Sequence, residues 1–117
     1  MTARKRAQAG TGGIQAAVAV ALADLVSYAD SSIVSRTLVD KKEGTLTLFA
    51  FDQGQGLSEH TAPFDAYLVI LDGEATPVVN GKAVAARAGD IVLMPANVPH
   101  AVRAGGRFKM MLVMVRA

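Results

Sequence analysis

The chain has no cysteine and no tryptophan, and only 5% of its 117 residues are aromatic. Without Cys there are no disulfides, no Cys-ligated zinc or iron–sulfur sites and no thiolate catalysis. The redox compartment is left open, because a Cys-free chain suits any of them. With so few aromatics and 19% charged residues, the stacking platforms that bind single-stranded nucleic acid are not expected. No helix-turn-helix pattern is visible either, so no nucleic-acid partner is expected. The Ala/Val/Leu-rich run Ile14–Val26 is too short to span a bilayer, and no membrane partner is expected. What remains is 51% hydrophobic, with a mean hydropathy of +0.32. That is far from a disordered composition and enough for one core in one domain.

The basic balance is local. The net charge is +2 and the pI about 9.2, but Arg4, Lys5 and Arg6 supply three of the twelve cations. Without them nine cations face ten acids. The looser cluster Arg103, Arg107, Lys109 and Arg116 is interleaved with one aromatic, Phe108, and reads as solvated strand positions rather than a phosphate track.

Three stretches follow from the pattern. Residues 1–13 form a flexible basic tail. Residues 14–32 hold a short helix, expected within 14–29, and its connection to the body. Residues 33–117 form a β-barrel. The alternative for the start is a secretory signal over residues 1–23, with the small-x-small site Ala21-Leu22-Ala23 behind a basic head. The helix is the preferred reading and implies a cytoplasmic protein; the signal would imply export.

From Ile33 the apolar period is two. Ile33–Val39 and Thr45–Phe51 are strands separated by a charged turn, and Leu57–Thr61 is a short one. Phe64–Leu71 is followed by the turn Asp72-Gly73. Glu74–Val79 and Lys82–Ala86 flank Asn80-Gly81, a two-residue hairpin signal. Ile91–Met94, Val98–Arg103 and Arg107–Arg116 complete eight or nine short strands. Such spacing predicts an all-β antiparallel sandwich or closed barrel. In Ala66–Leu71 and Met110–Val115 both faces are apolar, where a lone small barrel needs one wet face. Either Tyr67, Val69 and Leu71 or their even neighbours, with Met111, Val113 and Val115 or theirs, must be covered. A homodimer is therefore expected, with the N-terminal segment as the rival cover.

The two histidines are the only candidates with a patterned context. His60 lies six residues after Gly54 and thirteen before Gly73. His100 lies in Gly89-Asp-Ile-Val-Leu-Met-Pro95-Ala-Asn97-Val-Pro-His100. On these residues the chain resembles the cupin family. Gly54, His60 and Gly73 match its first motif, and Gly89, Pro95 and His100 its second. Asn97 replaces a motif Gly, which is tolerable because Asn also adopts a left-handed backbone. The resemblance, from about Ile33 to Val115, implies a double-stranded β-helix, or jelly-roll, barrel.

In metal-binding cupins three His and one Glu hold a divalent ion in the barrel mouth. Here the second His position is Ala62 and the Glu position is Ala66. Only His60 and His100 carry over as metal ligands, for a weakly held divalent transition metal such as Zn, Mn, Fe or Ni. A third ligand would come from Gln53, Gln55, Glu59, Asp65 or Tyr67. By alternation Glu59 and Asp65 point outward, unless a bulge re-aims one. The plainer reading makes the His pair polar wall residues. The two alanines free volume in the mouth, with Phe49 or Phe51, Tyr67, Met94 and Met110 around it. The expected ligand pocket is therefore His60, His100, Ala62, Ala66, Tyr67 and Met94, a mostly apolar small-molecule site. The competing outcome is that the methionines fill the space.

Other patterns carry less. Ser58 and His60 flank Glu59 in a strand where neighbours face opposite ways, so they are no triad. Gly54-Gln55-Gly56 is a turn with no helix behind it, not a phosphate loop. Asp52, Asp72 and Asp90 read as turn formers. The first functional reading is a small single-domain cupin that binds a small molecule. The alternative is a metal-dependent cupin enzyme of the dioxygenase, isomerase or decarboxylase class. A third is a structural dimer with no ligand.

Overall fold

A computed structural model describes residues 13–116. Eight strands pair antiparallel throughout: β1 (Ile33–Lys41), β2 (Gly44–Phe51), β3 (Gly56–His60), β4 (Asp65–Val79), β5 (Lys82–Ala83), β6 (Ala86–Arg87), β7 (Ile91–Met94) and β8 (His100–Val115). The backbone of the fold is the pair β4 and β8. They run side by side from Asp65↔Val115 to Val79↔His100, and the ladder breaks twice, between Ile70 and Asp72 and between Gly73 and Ala75. Those breaks bend both strands, so each serves two sheets. On one side of the bend lie β1, β2, β8, β4 and β7; on the other, β3, β8, β4, β5 and β6.

Asp72-Gly73 and Gly105-Gly106 thus mark bends within continuous strands, where the sequence suggests strand ends. Gly73 has φ +73°, and a Cβ there would run into the Arg107 carbonyl oxygen across the bend. No other residue fits without moving backbone. The predicted hairpin Asn80-Gly81 is present, with φ +51° and +81° linking Val79 to Lys82. Both residues sit in the left-handed region that a type I′ turn requires.

Alternation along β4 and β8 decides what is inside. The even residues Ala66, Leu68, Ile70, Phe108 and Met110 are buried between the two sheets, with Phe51, Met94 and Val102. Phe51 and Phe108 stack at 4.4 Å with planes 6° apart, closing the middle of the core. The odd residues Tyr67, Val69, Met111 and Val113 face out.

The predicted N-terminal helix is reduced to a 3-10 turn at Leu22–Leu25. Residues 15–21 are exposed, Ala17 takes a left-handed φ of +62°, and Ala21 offers no capping side chain. With β-branched Val18 and Val20 beside it, nothing offsets the cost of nucleating a longer helix. The segment instead runs as a strap over the outer face. Leu22, Leu25, Val26 and Tyr28 pack on Leu38, Leu48, Ala50, Leu71 and Met111, a second, smaller core. The tail expected at residues 1–13 lies, except for Gly13, outside the described residues.

Two of the four cations expected to be solvated, Arg107 and Lys109, hold this strap down. Arg107 donates to Asp52 at 2.7 Å and Asp30 at 2.9 Å, and Lys109 donates to the Ala23 carbonyl at 2.7 Å. Arg36 reaches the Leu25 carbonyl at 3.0 Å. The Tyr28 ring lies 5.2 Å from the Arg107 guanidinium and 5.1 Å from the Lys109 ammonium, and its hydroxyl donates to Asp72 at 2.5 Å. Burial, with the Asp72 carboxylate beside it, pushes the Tyr28 hydroxyl pKa well up. Asp52 and Asp72 therefore do more than form turns. No helix among the described residues is long and apolar enough to cross a membrane.

Candidate functional site

β3 pairs with β8 so that Leu57 opposes Val102 and His60 opposes His100. Three steps along β3 match two along β8, which makes a bulge at Ser58–Glu59. The bulge reverses the parity of the strand end. Leu57 and His60, an odd and an even residue, then face inward together, and the two imidazoles meet edge to face at 4.4 Å with planes 75° apart.

Each ring is held the same way. His60 Nδ1 lies 2.8 Å from the Ser58 carbonyl and His100 Nδ1 lies 3.0 Å from the Val98 carbonyl. A carbonyl only accepts, so Nδ1 carries the proton and donates. In the neutral ring Nε2 then keeps its lone pair. His100 is 3% exposed, whereas His60 sits at the rim. Burial lowers the His100 pKa, the hydrogen bond to Val98 opposes this, and the charge of a protonated His60 would lower it further.

The loop before His100 is tied at three points. The Asn97 N–H donates to the Ala62 carbonyl at 2.7 Å, the Ala96 N–H to Asp65 Oδ1 at 2.9 Å, and the Asn80 N–H to the Pro99 carbonyl at 2.8 Å. Asn97 has φ +64°, the left-handed backbone expected at this motif position.

Under the rings lies a cavity of about 40 Å³. It is lined by His60 and His100, by the small Ala62 and Ala66, by Met94, Met110 and Met114, and by the aliphatic Leu57, Val102 and Leu112. A water needs roughly 10–15 Å³ on this measure, so the cavity holds a few at most. The methionines take up most of the space that the two alanines release.

Five of the six expected pocket residues, His60, His100, Ala62, Ala66 and Met94, are brought together here. Tyr67 is not. It is the register partner of Leu93 and Val113 on the outer face, because the even residues of β4 are the inward ones. Phe49 and Phe51 also stand away from the cavity, in the core around Phe108. Sequence reading missed Leu57, which the bulge hides, and Val102, Leu112 and Met114, which share the parity of His100 and Met110.

The candidates for a third ligand are engaged or turned away. Asp65 accepts from Ala96, Tyr67 faces out, Gln55 and Glu59 line a separate open groove with Arg103, and Gln53 is exposed in the turn before β3. Among the described residues no group of three His, Cys, Asp or Glu could hold a metal ion. A divalent ion of the usual cupin kind does not fit this wall, which offers no carboxylate and only two histidine side chains.

The cupin-domain sequence profile matches residues 47–116. A conserved protein of unknown function from Streptococcus pyogenes is 34% identical, with a TM-score of 0.84 over 89% of this chain and 91% of that one. A cupin 2 conserved barrel domain protein from Leptotrichia buccalis is 42% identical, with a TM-score of 0.78 over 80% of this chain and 46% of its own. A cupin superfamily protein from Desulfitobacterium hafniense is 26% identical, with a TM-score of 0.84 over 89% and 95%. No curated protein matches the chain.

Proposed function

The chain belongs to the cupin family, and from that premise we propose that it binds a small ligand in the barrel mouth through the Nε2 atoms of His60 and His100. One observation carries the reading. Both Nδ1 atoms are spent on backbone carbonyls two residues back, which leaves Nε2 as the free acceptor of each of two rings that line one cavity. Rings fixed in this way are the arrangement that prepares imidazoles for a ligand rather than for each other. The cavity admits a ligand of very few atoms; anything larger requires a methionine to swing aside, which its three flexible bonds permit. Ala62 and Ala66 weigh against a dioxygenase, isomerase or decarboxylase that depends on a divalent metal.

With only two histidines in the chain, their ring proton signals in solution NMR are a direct readout. A panel of small carboxylates, phenols and first-row metal ions should contain a member that shifts both signals together, and His100→Ala should abolish the response. A panel that shifts neither ring would sink the reading.

We also propose that the partner is a second copy of this chain, docked through the outer face of β4, β7 and β8. Ile91, Leu93 and Val115 on that face are 62%, 46% and 42% exposed, and Val69 and Val113 adjoin them. Burying a side chain of this kind is worth about 1.5–3 kcal/mol when complete. Doubled by a two-fold axis, such a set offsets an association cost of about 4–15 kcal/mol.

A further inference from the structure

The mouth contains a set of donors that the imidazole argument leaves unused. Met94 and Met110 are buried, Met114 is half-buried, and all three line the cavity shared by His60 and His100. Their placement follows from the register. Ala66 on β4 is the Cα partner of Met94 on β7 and of Met114 on β8. Met94, Ala66 and Met114 therefore form one row across three strands. The central residue of that row has only a methyl, so Met94 and Met114 flank a small residue from opposite sides, and both line the cavity with the histidine pair.

We propose that the ligand of this site is a single Cu(I) ion, held by the Nε2 atoms of His60 and His100 together with thioether sulfur from Met94 and Met114. The proposal rests on the reading of the mouth as a binding site and names its occupant. Three properties of the wall select the ion. First, its donors are borderline imidazole and soft thioether, a set whose sulfur half favours Cu(I) over harder cations. Second, the cavity wall is almost entirely apolar and contains no carboxylate. The cost of drawing an ion out of water rises with the square of its charge, so a divalent ion meets about four times the penalty of a monovalent one of equal size. Third, Cu(I) is content with two to four ligands, and the cavity of about 40 Å³ admits a bare ion while excluding most organic molecules. The absence of cysteine removes the thiolates that would otherwise compete for the ion.

The experiment is an anaerobic titration of the full chain with Cu(I) in competition with bicinchoninate, followed by X-ray absorption at the copper edge. The expected result is withdrawal of one Cu(I) per chain from the chelator, with both nitrogen and sulfur neighbours in the absorption spectrum. His60→Ala with His100→Ala should lose at least a hundredfold in affinity. Met94→Leu with Met114→Leu, which nearly conserves volume and keeps the barrel folded, should lose about tenfold and the sulfur shell. Circular dichroism checks that each variant is folded. Failure to withdraw Cu(I), tighter retention of Zn(II) than Cu(I), or a copper shell without sulfur would each overturn the proposal. The NMR panel separates the two levels. If the His signals respond to another small ligand while Cu(I) does not bind, only the copper assignment falls; if they respond to nothing, the binding reading falls with it.

Discussion

The two faces of β4 and β8 are equally apolar in sequence and end in different states. The even face is sealed inside the barrel, where Leu68, Ile70, Phe108 and Met110 have no exposed surface. The odd face is divided. Near the bend it lies under the strap, with Leu71 and Met111, like Leu25 of the strap, packed against the cluster of Val26, Leu38, Leu48 and Ala50. Toward β7 it is bare, at Ile91 and Leu93. Hydrophobicity alone therefore does not decide burial; the cover decides it. One face is covered by the fold itself, part of the other by a segment held through charged groups, and the rest stays exposed in the single chain.

The largest effect should come from the inner face. Phe108→Ala removes the ring stacked on Phe51 and should cost about 3–5 kcal/mol in denaturant unfolding. Next comes the bend that creates the two sheets. Gly73→Ala places a methyl against the Arg107 carbonyl at a positive φ and should cost about 1–3 kcal/mol. The strap ranks third: Val26→Ala removes two buried methyl equivalents and should cost about 1.5 kcal/mol by the same measurement.

The polar side of the strap adds a pH dependence. The Arg107 guanidinium, with the Ser31 and Gln53 N–H groups, holds the Asp52 carboxyl at about 2, below its ordinary 3.8. A depressed carboxyl stabilises the fold above the unfolded value, and that contribution is lost as pH falls through about 2. The melting temperature of the native chain should therefore drop more steeply below pH 4 than that of Asp52→Asn. The smallest effect on the fold belongs to the bare face. Val113→Lys with Val115→Lys should leave the stability of a single chain within about 0.5 kcal/mol if both side chains point out. Light scattering should then read near 12.2 kDa for the variant and near twice that for the native chain. A native mass near 12.2 kDa would remove the dimer.

Much of this comparison was legible in the residues. Asn80-Gly81 and Asn97 declared their left-handed backbone, and the spacing around His60 and His100 placed both rings at the mouth. Alternation from Ala66 turns both Asp65 and Tyr67 outward, although the Tyr67 phenol suits a pocket by its chemistry. Leu57 was illegible for a different reason. A bulge adds one residue to a count, and Ser58-Glu59 carries no Gly or Pro to announce it. The short helix expected within 14–29 is reduced to the 3-10 turn Leu22–Leu25, because an Ala-rich run interrupted by β-branched residues specifies helix only weakly. The rest of the segment is held extended by Arg36, eleven residues from its Leu25 partner, and by Arg107 and Lys109, far along the chain. Asp72-Gly73 looked like a turn because the local signal for reversing a chain and for bending a strand is the same glycine.

The strap also orders events in time. Lys109 and its Ala23 partner are 86 residues apart, and Arg107 and Asp30 are 77 apart. Neither anchor exists as a surface until β8 has paired with β2 and β4. Closing such loops before the sheet forms sacrifices chain entropy for a few polar contacts. The barrel, itself built from distant strands and slow to assemble for that reason, must therefore come first. The strap docks last and opens first, so the amides of residues 22–30 should exchange with solvent while those of β4 and β8 remain protected.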